Sequence, residues 1–302
     1  MADFVRREVL NGRAVQYEIS ACGQCESNFE QMEPDDEVEM KAYLSIFRMR
    51  RRMETQYRGA VLGGLICQTF FGLVLVAIYR AMYAGKPQDM PLSNITTYVW
   101  LQQAFFRMLL STDADLLDRI RTGAIAYDLC RPLHLYGYYY SRVLAMKMTG
   151  SILRALPMLV IAALLPAGWG LALPASVPAL LTALAALILG MFCICALENV
   201  TMGLTMRTLD PRGVQALLNL LMMTFSGNIL PLTLFPDSWQ RVITLLPYAQ
   251  MLDAPIRLYN GEYPPGQAPV VMMIQLCWTV LLVAGGCLLW RANQKKMIVQ
   301  GG

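Results

Sequence analysis

The 302-residue sequence predicts an all-α integral membrane protein with six transmembrane helices, and three observations carry that reading. Hydrophobic residues make up 56% of the chain and charged residues only 15%, against about 45–50% and about 25% in soluble domains. A water-exposed surface cannot hold that excess without large sticky patches. Several stretches also run uncharged for the roughly 20 residues that a helix needs to cross a hydrocarbon core about 30 Å thick. Finally, the basic residues gather on alternate loops. Composition excludes disorder, a disulfide-stapled secreted module and an ordinary cytosolic enzyme.

Residues 59–79 supply 21 positions without a charge, and 155–197 supply 43, room for two spans, broken in the middle by PAGWGLALPASVP (166–178). Residues 213–236 give 24 and residues 263–290 give 28. A weaker stretch, 95–111, is interrupted only by Arg107 near one end. The spans are therefore expected at 59–80, 95–111, 141–165, 178–206, 213–231 and 269–290, and an even number puts both termini on one side. Seventeen Lys and Arg residues flank that side, among them Arg142 and Lys147, against four on the other (Arg80, Lys86, Arg241, Arg257). The positive-inside rule then places both termini in the cytoplasm. The net charge of +4 needs no nucleic-acid partner once this asymmetry is counted.

Residues 1–40 are polar, lack the apolar core of a signal peptide and carry the acidic run EPDDEVE, so they read as a cytoplasmic extension with little fixed structure. Cys22 and Cys25 (CGQC) form half a zinc or redox motif. No second pair follows and the single histidine, His134, is distant, so no metal or other cofactor is expected on this chain. Residues 41–58 form a basic amphipathic helix. Tyr43, Ile46, Phe47, Met49, Met53 and Tyr57 share one arc, with Lys41, Arg48, Arg51 and Arg52 opposite and Arg50 and Glu54 spoiling its edge. Such a helix is expected to lie in the headgroup plane, or to serve simply as a topological anchor.

Two loops carry further content. After the second span, Thr112 or Asp113 can cap a short helix in which Asp113, Asp115 and Asp118 suit the positive dipole end. Leu116, Leu117 and Ile120 give it an apolar stripe, Gly123 ends or bends it, and Pro132 stops any helix beyond. An exposed stripe of this kind is shaped to dock into another protein. The other reading, a helix touching only lipid, would set three aspartates against an anionic surface. The last external loop, 226–266, has prolines at 231, 236, 247, 255, 264 and 265, with Phe235, Trp239, Val242, Ile243 and Leu246 at helical spacing. It reads as short helices dipping into the outer leaflet, either as an interfacial cap or as an outer gate. Two charges sit inside spans, Arg154 and Glu198. Their depths differ by about 13 Å at 1.5 Å per residue, so a direct pair is not expected. Glu198 is left to snorkel inward or to meet Arg207 or a second chain.

TYVWLQQAF, RTGAIAYDLCRPLHLYGYYYSR and FSGNILPLTLFPDSWQRVITLLPY together resemble the permease subunits of type 2 ABC exporters. The likeness covers 41–296 and is carried by G-x-I-A-Y-x-L-x-R-P (123–132) and S-G-x-x-x-P-L-x-x-x-P (226–236). It implies an amphipathic helix along the cytoplasmic interface, followed by a six-span domain over 59–296. It also implies a helix coupling to the ATPase, on Asp113, Asp115, Leu116, Leu117, Asp118, Ile120, Arg121, Gly123 and Arg131. Re-entrant helices over 229–248 would form an external gate with Ser226, Gly227, Pro231, Pro236 and Trp239. Two permease chains, identical or related, would enclose the substrate route along spans two and five in a bacterial plasma membrane. The chain lacks G-x-x-x-x-G-K-[ST], so ATP and Mg belong to a separate ATPase subunit, and this chain is expected to be no enzyme. The competing readings are an ion-driven transporter, which should show inverted repeats, and a membrane protein with no transport role.

Overall fold

The computed structural model describes residues 36–56, 58–84, 90–110, 113–129, 133–208 and 211–294. Twelve α-helices lie among them, and no strand does: α1 (Asp36–Gln56), α2 (Arg58–Tyr83), α3 (Leu92–Leu110), α4 (Ala114–Thr122), α5 (Ala126–Leu129), α6 (Leu135–Leu164), α7 (Val177–Thr205), α8 (Pro211–Phe225), α9 (Asp237–Ile243), α10 (Pro247–Met251), α11 (Asp253–Asn260) and α12 (Ala268–Gln294). Cys22, Cys25 and Arg131 fall outside the described residues.

Four segments are long and apolar enough to cross a membrane: α2, α6, α7 and Pro265–Gln294, which contains α12. The other two expected spans correspond to α3 and α8, which do not meet that standard. For α3 the reason is enclosure. Its Tyr98, Val99, Trp100, Ala104 and Met108 are fully buried, and Thr96, Thr97 and Gln102 are nearly so. A helix wrapped by protein can carry hydrogen-bonding side chains that a lipid-facing helix cannot. Gln102, for instance, donates to Asn228. At 15 residues α8 is only about 22 Å long, and it stops six residues short of the expected end. Gly227 there turns left-handed at φ 79°, and Pro231 caps the short 3-10 turn Leu232–Leu234.

Other boundaries move as well. The amphipathic helix begins at Asp36, inside the stretch expected to be a tail. The third span begins at Leu135, six residues before its expected start.

Small residues let the helices close on one another, which matters where lipid gives no hydrophobic drive for helix association. A Cβ on Gly72 of α2 would lie 2.9 Å from the Trp100 ring of α3. One on Gly190 of α7 would lie 2.7 Å from the Met251 carbonyl oxygen at the end of α10. The central core joins Tyr98, Leu101 and Met108 of α3 to Val143 of α6, Ile194 and Leu197 of α7, and Met251 and Ile256 from the hairpin of short helices α9, α10 and α11.

Candidate functional site

The loop after α3 is built from a cap and a charge cluster. Asp113 caps α4, its side chain accepting from the Leu116 amide at 3.5 Å, and Gly123 closes the helix at φ 73°. The same Asp113 carboxylate, fully buried, accepts from Arg142 Nε at 2.5 Å and from Arg142 Nη2 at 3.2 Å. Arg50 of α1 reaches it at 3.4 Å. Arg142 also bonds Asp115, and Asp115 pairs with Arg119 at 3.3 Å. Burial acts to raise the Asp115 pKa, but the hydrogen bond and charge of Arg142 outweigh it and hold the carboxyl below its ordinary range. Arg119 goes on to Asp128 of α5 at 3.1 Å, where the Tyr139 hydroxyl donates at 2.6 Å. Arg50 and Glu54, which spoil the apolar arc of α1 on paper, are the residues that tie α1 inward. Glu54 bridges Arg50 and Arg107, each at 3.6 Å.

This geometry corrects the reading of an exposed apolar stripe. Leu116 is fully buried, and Leu117 and Ile120 pack beside it against Tyr138, Tyr139, Met202 and Trp290 of the same chain. Tyr43 and Ile46 of α1 join that cluster, so part of its apolar arc faces protein rather than lipid. Among the described side chains, α4 and α5 expose Ala114, Asp115, Asp118, Thr122 and Tyr127, the last 78% exposed. Arg121 lies in α4 and Gly123 at its end.

Glu198 is corrected too. It pairs with Lys147 of α6 at 3.7 Å, both buried, rather than snorkelling inward or meeting Arg207. Arg207 instead donates to Asn293 at 2.6 Å. Lys147, expected among the cytoplasmic flanking charges, is fully enclosed and also donates to the Met108 carbonyl at 3.1 Å. Arg154 does not pair with Glu198; its Nη2 donates to the Ala60 carbonyl at 3.4 Å.

A second polar cluster sits under the α9–α11 hairpin; its Asp253/Arg257 spacing is that of neighbours on one helix face, but its link to α3 is not local in sequence. Tyr98 of α3 donates to Asp253 at 2.8 Å and to the Gly227 carbonyl at 3.4 Å. Arg257 pairs with Asp253 at 3.6 Å and Glu262 at 3.2 Å, donates to the Tyr263 hydroxyl at 2.8 Å and stacks on that ring. Burial pushes the Asp253 carboxyl up to about 6, although the Arg257 charge pulls the other way. Of the residues expected at an external gate, Ser226 is buried, and Gly227 lies against the Tyr98 hydroxyl. Pro231 and Pro236 precede the 3-10 turn and α9. Trp239, on α9, is 62% exposed.

The family model described as ABC-2 family transporter protein matches residues 65–301, from α2 to beyond α12. No curated protein and no solved structure matches the chain. With the match extending over most of its length, and with helices suited to a membrane, the chain belongs to the ABC-2 transporter family.

Proposed function

We propose that this chain is the six-span permease subunit of an ATP-driven exporter, in which α3 and α8 complete the set begun by α2, α6, α7 and α12. A second permease chain, identical or related, packs beside it. A separate nucleotide-binding subunit holds ATP and Mg and docks from the cytoplasm, where both termini lie. The observation that carries the coupling reading is the clasp on α4: Asp113 and Asp115 locked to Arg142, with Arg50 on the same carboxylate as Arg142. The Asp113–Arg142 pair is bidentate and enclosed, a geometry that fixes the two helices rigidly relative to each other, while the half-exposed Asp115 adds a further contact to Arg142.

In this mechanism the ATPase contacts the outward face, Asp118, Thr122 and Tyr127, and pushes α4 as its two halves close on ATP. The push passes through Asp113 and Asp115 into Arg142 and so into α6, and through Arg50 into α1. The permease pair then shifts between two packed arrangements, the way interfaces usually convert a small input into a discrete change.

The test is co-purification with the nucleotide-binding subunit in detergent, followed by ATPase measurement. Asp118→Lys with Tyr127→Ala alters only the outward face and should lower the permease-stimulated ATPase rate about tenfold or more without changing the melting temperature. Full stimulation in that variant would refute the docking face. Cysteine labelling should find Glu262 accessible from outside and Arg121 from inside; labelling of both from one side would refute the six-span topology.

A further inference from the structure

Arg154 belongs to neither polar cluster described above, although it lies well inside α6. Its guanidinium packs on Gly64 of α2, where a Cβ would come within 2.7 Å of Cζ and 2.8 Å of Nη1. Arg107 of α3 reaches the same helix one turn earlier, its Nε 3.2 Å from the place of a Cβ on Gly150. Two guanidinium groups thus converge between α2, α3 and α6. Glu54 is the carboxylate beside them, and it pairs with Arg107 while also serving Arg50. Among the described residues no carboxylate lies within 4.0 Å of Arg154. Charged side chains inside a membrane are costly unless matched, so this set has one cation too many.

Neutral polar groups at the same junction are also unmatched. Gln68, one turn along α2 from Gly64, is buried with no hydrogen-bond partner on either amide atom. Ser151, one turn before Arg154 on α6, is buried with its hydroxyl unpaired. The flanking side chains Leu62 and Ile66 of α2 and Ile152 and Leu156 of α6 are exposed, so the junction opens toward lipid. Depth fits as well. From Arg58 to Arg80 the rise of α2 is about 33 Å, close to one hydrocarbon core, and Gly64 is about 9 Å above Arg58. An arginine at that level reaches the headgroup phosphates by extending its stem.

We propose that Arg107 and Arg154 hold the phosphate of an inner-leaflet phospholipid at the α2–α3–α6 junction, with Gln68 and Ser151 as adjacent neutral hydrogen-bonding groups. The planar fork of each guanidinium matches a phosphodiester, and the bound anion supplies the charge that the chain lacks. This site rests on the membrane orientation proposed above and not on ATPase coupling, so either can fail without the other.

The test uses the full chain, delipidated in a neutral detergent, with phosphatidylglycerol binding followed by native mass spectrometry. One tightly retained phosphatidylglycerol is expected. Arg107→Gln with Arg154→Gln should weaken it about tenfold or more, the scale of a charge-assisted contact, whereas Arg51→Gln with Arg52→Gln on the exposed face of α1 should leave it within about twofold. Diacylglycerol with the same acyl chains should not be retained, and millimolar inorganic phosphate should not compete. Unchanged binding in the Arg107/Arg154 variant, equal retention of diacylglycerol, or displacement by inorganic phosphate would each overturn the lipid assignment. If the double variant does not purify as a folded species, Arg154→Lys keeps the charge without the fork, and it should bind severalfold more weakly; no loss in that variant overturns the proposal equally.

Discussion

Replacing Lys147 by methionine removes the cation from a pair that α6 and α7 share in the interior. Glu198 then stays buried without it, and the Met108 carbonyl in the last turn of α3 loses a donor. At 3.7 Å and an effective dielectric constant of about 20, the lost attraction is about 4.5 kcal/mol. That agrees with the roughly 3–5 kcal/mol measured when one member of a buried pair is removed. Lys147→Met with Glu198→Gln should recover most of the loss, because the stranded charge is gone. Equilibrium unfolding in mixed micelles across this double-mutant cycle should give a coupling energy of at least about 2 kcal/mol. A single-variant loss below about 1 kcal/mol, or simple additivity in the double variant, would refute the argument that the pair is held in a low-dielectric interior.

Three further outcomes concern the hairpin and its packing. Gly227→Ala forces a left-handed φ of 79° on a residue with a Cβ and drives that Cβ into the Tyr98 hydroxyl; it should cost clearly more than Gly123→Ala, which has a similar φ but open space and should lose only about 1 kcal/mol. Thermal unfolding of the two side by side checks this, and equal losses would count against the Tyr98 contact. Gly190→Ala sets a methyl against the rigid Met251 carbonyl and should cost about 1–3 kcal/mol in the same assay. The Asp253 carboxyl has a folded pKa near 6, above its ordinary 3.8. Its neutral form is therefore favoured by folding, and that stability is complete at low pH and lost as pH rises through about 6. Wild type should be more stable at pH 5 than at pH 8 by about 1.4 kcal/mol, half of the roughly 3 kcal/mol reached below pH 3.8, and Asp253→Asn should remove most of that slope. A full slope in the variant would assign it to another group.

How far the fold could be read from sequence depended on whether a residue's partner was lipid or protein. Long uncharged runs marked α2, α7 and α12 directly, because lipid contact demands apolar side chains, whereas α6 carries Arg142, Lys147 and Arg154 and only residues 155–164 of it fall in such a run. The signal weakened for α3, whose Thr96, Thr97, Gln102 and Gln103 lower its hydropathy although the helix is among the most enclosed. The capped helix α4 was visible down to Asp113 and Gly123, since caps depend on neighbours in sequence. Periodicity identified its stripe but carried no information on what the stripe would meet, and Leu116 went to the chain's own core. Lys147 and Glu198 are 51 positions apart, so a lysine near a helix start read as a topological flank. The Tyr98–Asp253 contact joins residues 155 positions apart and has no local signature at all.

The clasp on Arg142 has a mechanical consequence. α6 is a 30-residue rod, about 45 Å long, gripped near one end by Asp113 and Asp115. From Arg142 to Leu164 the lever arm is about 33 Å, so a tilt of about 5° applied at that grip would carry the far end through roughly 3 Å. Pro157, which gives up one backbone hydrogen bond seven residues before the far end, is where such a rod would flex first. The stiff lower shaft and its late hinge together act as a crank, with leverage set by helix length rather than by any contact along the way.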